Sequence, residues 1–323
     1  MNAWLAPLLD DLSDPAGWAY QPGGVCAAEP TAIAALALAG HGRCEAAKNA
    51  CRRLVDLQAA DGGVSVTAQQ PTPCWPTGWA VLAWFRADAL AGDKEFTEPA
   101  LRAIACIQSL HGQTMEQPAY MGHNTQLDGW PWVAGTHPWS EPTAVNLLAL
   151  KAAGRGGQPR AREAAKMLID RLLPAGGCNY GNTEVLGSVL RPHVEPTGLV
   201  VAALAGEADA SGKLERSVAW LEHAVSMVRG GVSLAYALLG LAAHQRAPAN
   251  PSALLAAAAR QPDRWRKSPL RKALLALAAV DPCALRAYPK TDAESQERDR
   301  GAARRAVFCI GRAGGPPHNS VFG

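Results

Sequence analysis

The chain has 323 residues, of which 48% are hydrophobic and 18% charged, and its formal net charge is +3. That is ample for a large core and far from the basic balance of a nucleic-acid-binding surface, so no nucleic-acid partner is expected. No stretch approaches the roughly 18 unbroken apolar residues of a membrane span.

Eight scattered cysteines without CxxC pairs suit a reduced, cytoplasmic protein. Met1 to Leu12 is interrupted by Asp10 and Asp11 and lacks the regions of a signal peptide. The Ala, Gly, Arg and Pro bias fits a GC-rich bacterial genome.

Strand signals are nearly absent, and apolar residues fall in helical blocks separated by Gly and Pro. Leu5 to Leu12 is a short first helix. Residues 30–40 are almost wholly apolar and predict a buried inner helix, whereas 43–59 carry Arg52, Arg53 and Asp56 and predict an amphipathic outer one. The same pair recurs at 76–91 and 95–110, 142–154 and 159–173, 196–206 and 211–228, and 232–245 and 251–260, before a last apolar helix at 269–280. Six inner helices with outer partners predict an all-α fold, an α/α toroid of six hairpins with inner and outer helix rings. An open solenoid would need polar capping repeats. The toroid is expected to span 1–280. Residues 281–323, polar and Gly/Pro-rich, form a tail that packs over it or stays mobile.

An internal repeat underlies this pattern. Glu29-Pro30-Thr31, Trp75-Pro76-Thr77, Glu141-Pro142-Thr143 and Glu195-Pro196-Thr197 each open an inner helix, and in the first three a glycine (Gly17, Gly63, Gly129) lies twelve residues earlier. Proline suits the first helical position, so each glutamate is expected at a helix boundary. Alternation makes the inner helices parallel, and their N-termini then gather at one mouth with their positive dipole ends. Two long connections, 112–140 and 174–194, lead to that mouth and are rich in Trp, Tyr, His and Asn. Loops of that length are commonly functional.

Three groups of residues carry candidate chemistry. Glu141, Asp128, Glu195 and Glu29 are candidate acids, because a buried carboxylic acid of raised pKa can protonate a substrate; the competing reading is that each glutamate locks a helix start. Asp128 lies thirteen residues before Glu141, and Asn182 thirteen before Glu195. The aromatic residues Trp18, Tyr20, Trp75, Trp130, Trp132, Trp139 and Tyr180, with His123, would bind substrate and stabilise a carbocation, or else pack the helix junctions. Cys26, Cys74, His137 and His193 lie close to the boundary residues and could form a Cys2His2 zinc site. Trp79 and Trp84 would face either cavity or core.

The stretch Leu57-Gln58-Ala59-Ala60-Asp61-Gly62-Gly63, with partial copies at Gln126-Leu127-Asp128-Gly129-Trp130 and Gly17-Trp18-Ala19-Tyr20, is similar to the Gln-…-Asp-Gly-x-Trp signature of squalene–hopene cyclases. On roughly residues 1–280 the chain thus resembles the terpenoid cyclase and protein-prenyltransferase superfamily of α/α toroids. The resemblance implies cyclisation or isomerisation of an isoprenoid or related apolar lipid, started by protonation, with no required cofactor and with peripheral membrane contact. The chain departs from the family by lacking Asp-x-Asp-Asp. The alternative is a zinc-dependent, prenyltransferase-like transferase or lyase with Cys26, Cys74, His137 and His193 as ligands; the family's own zinc set, an Asp-x-Cys pair and a distant histidine, is matched in spacing by Asp281-Pro282-Cys283 and His318, but that pair falls past the last toroid helix. A non-catalytic lipid- or peptide-binding toroid is the third reading.

Overall fold

A computed structural model describes residues 3–15, 18–72, 75–118, 120–261, 267–280 and 284–285, all within one compact unit, Met1–Ala287. The Asp281–Cys283 pair, His318 and, apart from Ala284 and Leu285, the expected tail lie outside the described residues.

Twelve α-helices occur among the described residues. They are α1 (Leu5–Ser13), α2 (Ala28–Gly40), α3 (Cys44–Asp56), α4 (Thr77–Ala91), α5 (Thr97–Ser109), α6 (Ser140–Ala152), α7 (Pro159–Arg171), α8 (Val194–Ala203), α9 (Lys213–Val225), α10 (Gly231–Ala243), α11 (Pro251–Arg260) and α12 (Pro269–Ala278). The even-numbered helices are buried almost all round; in α2 every residue from Ala28 to Ala39 is buried. The outer helices bury one stripe, as Ala47, Ala50, Cys51 and Leu54 do in α3, at the spacing of a single helical face.

Contacts between inner helices run α2–α4–α6–α8–α10–α12 and return from α12 to α2, a closed circuit that fits a toroid. Each outer helix packs on the inner ring, α1 bridging α12 and α2. Small residues let inner helices approach closely. An added Cβ at Gly198 would overlap the Tyr236 carbonyl, and one at Gly240 would overlap the Gly198 carbonyl, so α8 and α10 touch backbone to backbone.

Two local expectations need correcting. The three Glu-Pro-Thr helices begin at Ala28, Ser140 and Val194, two residues before their prolines. Proline is tolerated there because first-turn N–H groups have no intrahelical acceptor. Proline does open α7, α11 and α12, the last two capped by Asn250 and Ser268 side chains. The second long loop also carries a hairpin, β1 (Glu184–Val185) paired antiparallel with β2 (Ser188–Val189). Leu186 and Gly187 form its turn, both at positive φ, the two-residue geometry that matches strand twist.

Replacing Gly240 by Ala should cost about 1–3 kcal/mol through overpacking at the α8–α10 contact. Urea denaturation measures this; an unchanged midpoint would show that the contact is slack.

Candidate active site

The threonine of each Pro-Thr pair, rather than the proline, sets the repeat spacing. Thr77 Oγ1 accepts the Val64 N–H at 2.9 Å and Thr143 Oγ1 accepts the Trp130 N–H at 2.9 Å, each from thirteen residues upstream. Thr31 Oγ1 donates to the Ala27 carbonyl at 2.7 Å and lies 3.4 Å from that of Trp18, again thirteen residues away. In the fourth copy Thr197 Oγ1 accepts the Cys178 N–H at 2.9 Å from nineteen residues upstream. The six extra residues are taken up by the loop that bears the hairpin. The register partner of Gly129 is therefore Gly177, so Asn182 does not correspond to Asp128. Each clasp ties a loop to an inner-helix start and fixes the residue two before the threonine.

In three copies that residue is Glu29, Glu141 or Glu195, each second in its helix. Glu29 is 6% exposed, and Glu141 and Glu195 are partly open to solvent. Glu141 feels the charges of Glu29 and Glu195, and Glu29 that of Glu195, so the three carboxyls lie within electrostatic reach of one another. Burial holds Glu29 up at about 7 against an opposing hydrogen bond from Tyr20, with the Glu195 charge adding to the rise. Burial, then the charges of Glu29 and Glu195, raise Glu141 well above the usual carboxylate range. Burial raises Glu195 as well. Helix N-termini favour carboxylate anions, but here desolvation and mutual repulsion outweigh that effect. Carboxyls whose charges interact titrate as a coupled set.

Two tyrosines complete the group. Burial and then the Glu29 charge push the Tyr20 phenol far up, and Tyr20 donates to Glu29. Tyr236, on α10 and 2% exposed, is kept protonated by burial and by the charges of Glu29, Glu141 and Glu195. Sequence reasoning missed Tyr236; its one signal is a phenol inside the otherwise apolar run from Leu234 to Leu241.

An open groove of about 480 Å³ reaches this group at Glu195. Tyr180, Trp220, Met227 and Val228 give it an apolar wall, His193 and Arg229 a polar one. Tyr180 stacks on His193 with ring centroids 5.4 Å apart. Trp220 and Arg229 were not foreseen, because they come from α9 and the loop after it.

The remaining candidates are placed elsewhere. Asp128 accepts from Gly112 N–H at 2.9 Å, binds His111 Nδ1 at 2.5 Å and pairs with Arg160 at 3.3 Å. It fastens the loop to α7 rather than joining the glutamates. Trp130 is fully buried, donating to the Ile107 carbonyl at 2.8 Å beneath the Arg160 guanidinium. Trp18 donates to the Leu12 carbonyl and Trp84 to that of Cys51, both at 3.0 Å, so these indoles lock outer elements to inner ones. Trp79 is buried in α4. Trp75 and Trp132 pack edge to face at 4.6 Å. Trp139 lies beside His137 at 4.9 Å, and both line a second cavity with His123. The signature stretch is a structural turn: Gln58 donates to the Gly62 and Pro99 carbonyls at 3.0 and 2.9 Å, and Asp61 accepts from Gly63 N–H at 2.9 Å.

Of the expected zinc ligands, Cys74 lies outside the described residues. Cys26 contacts Thr31 Oγ1 at 3.3 Å, and His137 and His193 stack on separate aromatic rings. Among the described residues no three His, Cys, Asp or Glu side chains gather in a metal-binding arrangement.

The raised Glu29 pKa has a stability consequence of defined sign. Between about 4.5 and 7 the folded protein holds a proton that the unfolded chain releases, so this group's contribution is lost as pH rises. Glu29→Gln should match wild-type stability near pH 4 and exceed it by about 3 kcal/mol at pH 8. Denaturation at the two pH values measures the difference; a constant gap would contradict the shift.

No protein-family model matches the chain, and no curated protein does. Among solved structures it is similar to Salmonella alpha-2-macroglobulin reacted with methylamine, at 16% identity and a TM-score of 0.48, over 85% of this chain and 17% of that one. The chain thus spans under a fifth of that protein's length.

Proposed function

We propose that the chain is an enzyme that cyclises or isomerises an isoprenoid or related apolar lipid by protonating it. One observation carries the reading: burial and then the charges of Glu29 and Glu195 raise Glu141 well above the usual carboxylate range, which favours its protonated form. A carboxylic acid kept neutral by burial still carries the proton that general acid catalysis requires.

In this reading the lipid enters along the groove walled by Tyr180, Trp220 and Met227. Glu141 gives its proton to an alkene carbon, and the electron pair of the double bond forms the new C–H bond. The resulting cation is stabilised by aromatic faces and by the carboxylate just formed. Loss of a proton from a neighbouring carbon to Glu195 or Glu29 restores a double bond, and the protons of the glutamate set redistribute to reset Glu141. Reactant and product are isomers, so the cycle balances without a cofactor. Tyr20 and Tyr236, both neutral, serve as hydrogen-bond donors that keep the set oriented.

A second reading, a non-catalytic lipid binder, is favoured by the openness of the same groove at Met227 and Tyr180, both exposed. Incubation with linear polyprenes and analysis of the recovered lipid separates the two. An enzyme returns isomers of unchanged mass, whereas a binder returns the lipid as supplied. Glu141→Gln should lower turnover by about 10²–10⁴-fold with the helical spectrum intact. Full activity in that variant would remove Glu141 as the acid. Activity should also decline as rising pH deprotonates Glu141.

A further inference from the structure

The hairpin of the second long loop breaks two local rules at once. Its turn is Leu186-Gly187, with φ of 51° and 77°. That geometry suits Asn, Asp or Gly at the first turn position, and a leucine there is strained. Leu186 is also 96% exposed, so no packing contact compensates the strain. A strained residue that stabilises nothing within the fold points to a role outside it.

Its neighbours repeat the anomaly. Val185 pairs with Ser188 and Glu184 with Val189, so Val185 and Val189 lie on opposite faces of the ribbon. A hairpin packed on a core keeps its apolar residues on the covered face. Here Val185 and Val189 are 42% and 65% exposed, so neither face is covered. The tip is therefore apolar at its end and on both sides, above a base where Glu184 is half-buried.

The hairpin stands at the rim of the groove. The chain enters it shortly after Tyr180 and leaves it shortly before Pro192 and His193, all three of which line the groove. Two exposed arginines flank the rim, Arg191 beside Pro192 and Arg229 in the groove wall. Arg229 Nη1 donates to the Ser226 carbonyl at 3.4 Å, and neither arginine has a carboxylate partner among the described residues.

The size and shape of the tip decide what it meets. Three aliphatic side chains on a convex turn cannot supply the roughly 1,000 Å² that a specific protein interface buries. A fluid apolar phase needs no complementary surface. Exposed aliphatic groups beside unpaired cations suit the boundary of an anionic bilayer.

We infer that the hairpin tip inserts into the surface of an anionic phospholipid bilayer, with Val185, Leu186 and Val189 among the acyl chains and Arg191 and Arg229 at the headgroup phosphates. The choice of a lipid phase rests in part on the apolar substrate proposed above, because the groove then opens where that substrate is dissolved. The contact itself requires no turnover.

Co-sedimentation of the full chain with vesicles of phosphatidylcholine, alone or mixed with phosphatidylglycerol, tests this. Binding to the mixed vesicles is expected, at least about fivefold tighter than to the neutral ones. Leu186→Asn is the diagnostic variant. Asparagine adopts positive φ more readily than leucine, so its urea midpoint should hold or rise while vesicle binding falls at least about tenfold. Val189→Thr, of the same shape, should weaken binding in the same direction, and Arg191→Ala should weaken it on mixed vesicles alone. Glu141→Gln should bind vesicles as the wild type does, so loss of the reaction and loss of the membrane contact are read separately. No binding to mixed vesicles, unchanged binding of Leu186→Asn, or a lowered midpoint in that variant would overturn the inference. So would a dimer that Leu186→Asn dissociates, which would make the tip a contact between copies of the chain.

Discussion

The structure depends on a hydrogen bond between a buried threonine and a backbone group far upstream. Thr31, Thr77, Thr143 and Thr197 each reach back to the segment that leaves the previous outer helix. The clasp meets a polar backbone group that would otherwise be stranded among apolar helices. It also fixes where each inner helix starts, and with it the direction of the side chain two positions before the threonine. Three of those side chains are glutamates. A scaffold device repeated for packing thus delivers three carboxyls to one group, although no local sequence motif joins them.

That arrangement works against stability. Burial raises all three carboxyls and like charge adds to the rise at Glu29 and Glu141, so the folded state opposes their ionisation. Tyr20 offsets part of the cost at Glu29 by donating a hydrogen bond, and Tyr236 adds a neutral phenol in place of a further charge. A helix start needs no glutamate at its second position, and α10 and α12 are inner helices without one. Raised, grouped carboxyls are a common mark of a functional site.

The helices were legible because inner and outer ones differ so plainly in composition: an apolar run such as 231–243 reads as buried, and a striped one such as Cys44–Asp56 as half wet. The gathering of Glu29, Glu141 and Glu195 was legible through the repeat. The role of threonine was not, because a hydroxyl's long-range partner leaves no periodic trace. The fourth register was hidden by six inserted residues, which made Asn182 look equivalent to Asp128. Asp128 and the indoles of Trp18 and Trp130 read as chemistry because polar and aromatic residues clustered near the boundaries. Their partners, Arg160 on α7 and the carbonyls of Leu12 and Ile107, are tertiary contacts.

On this reading Glu29, Glu141 and Glu195 form one electrostatically coupled group of carboxyls. Infrared difference spectroscopy of the carboxylic C=O stretch, with the three single Gln variants as assignments, tests it most directly. A protonated carboxyl band near pH 7 is expected that weakens in Glu29→Gln, with Glu29 titrating near 7 in the wild type and lower once Glu195 is neutralised. Three carboxyls that titrate independently in the ordinary range near 4.5 would contradict it.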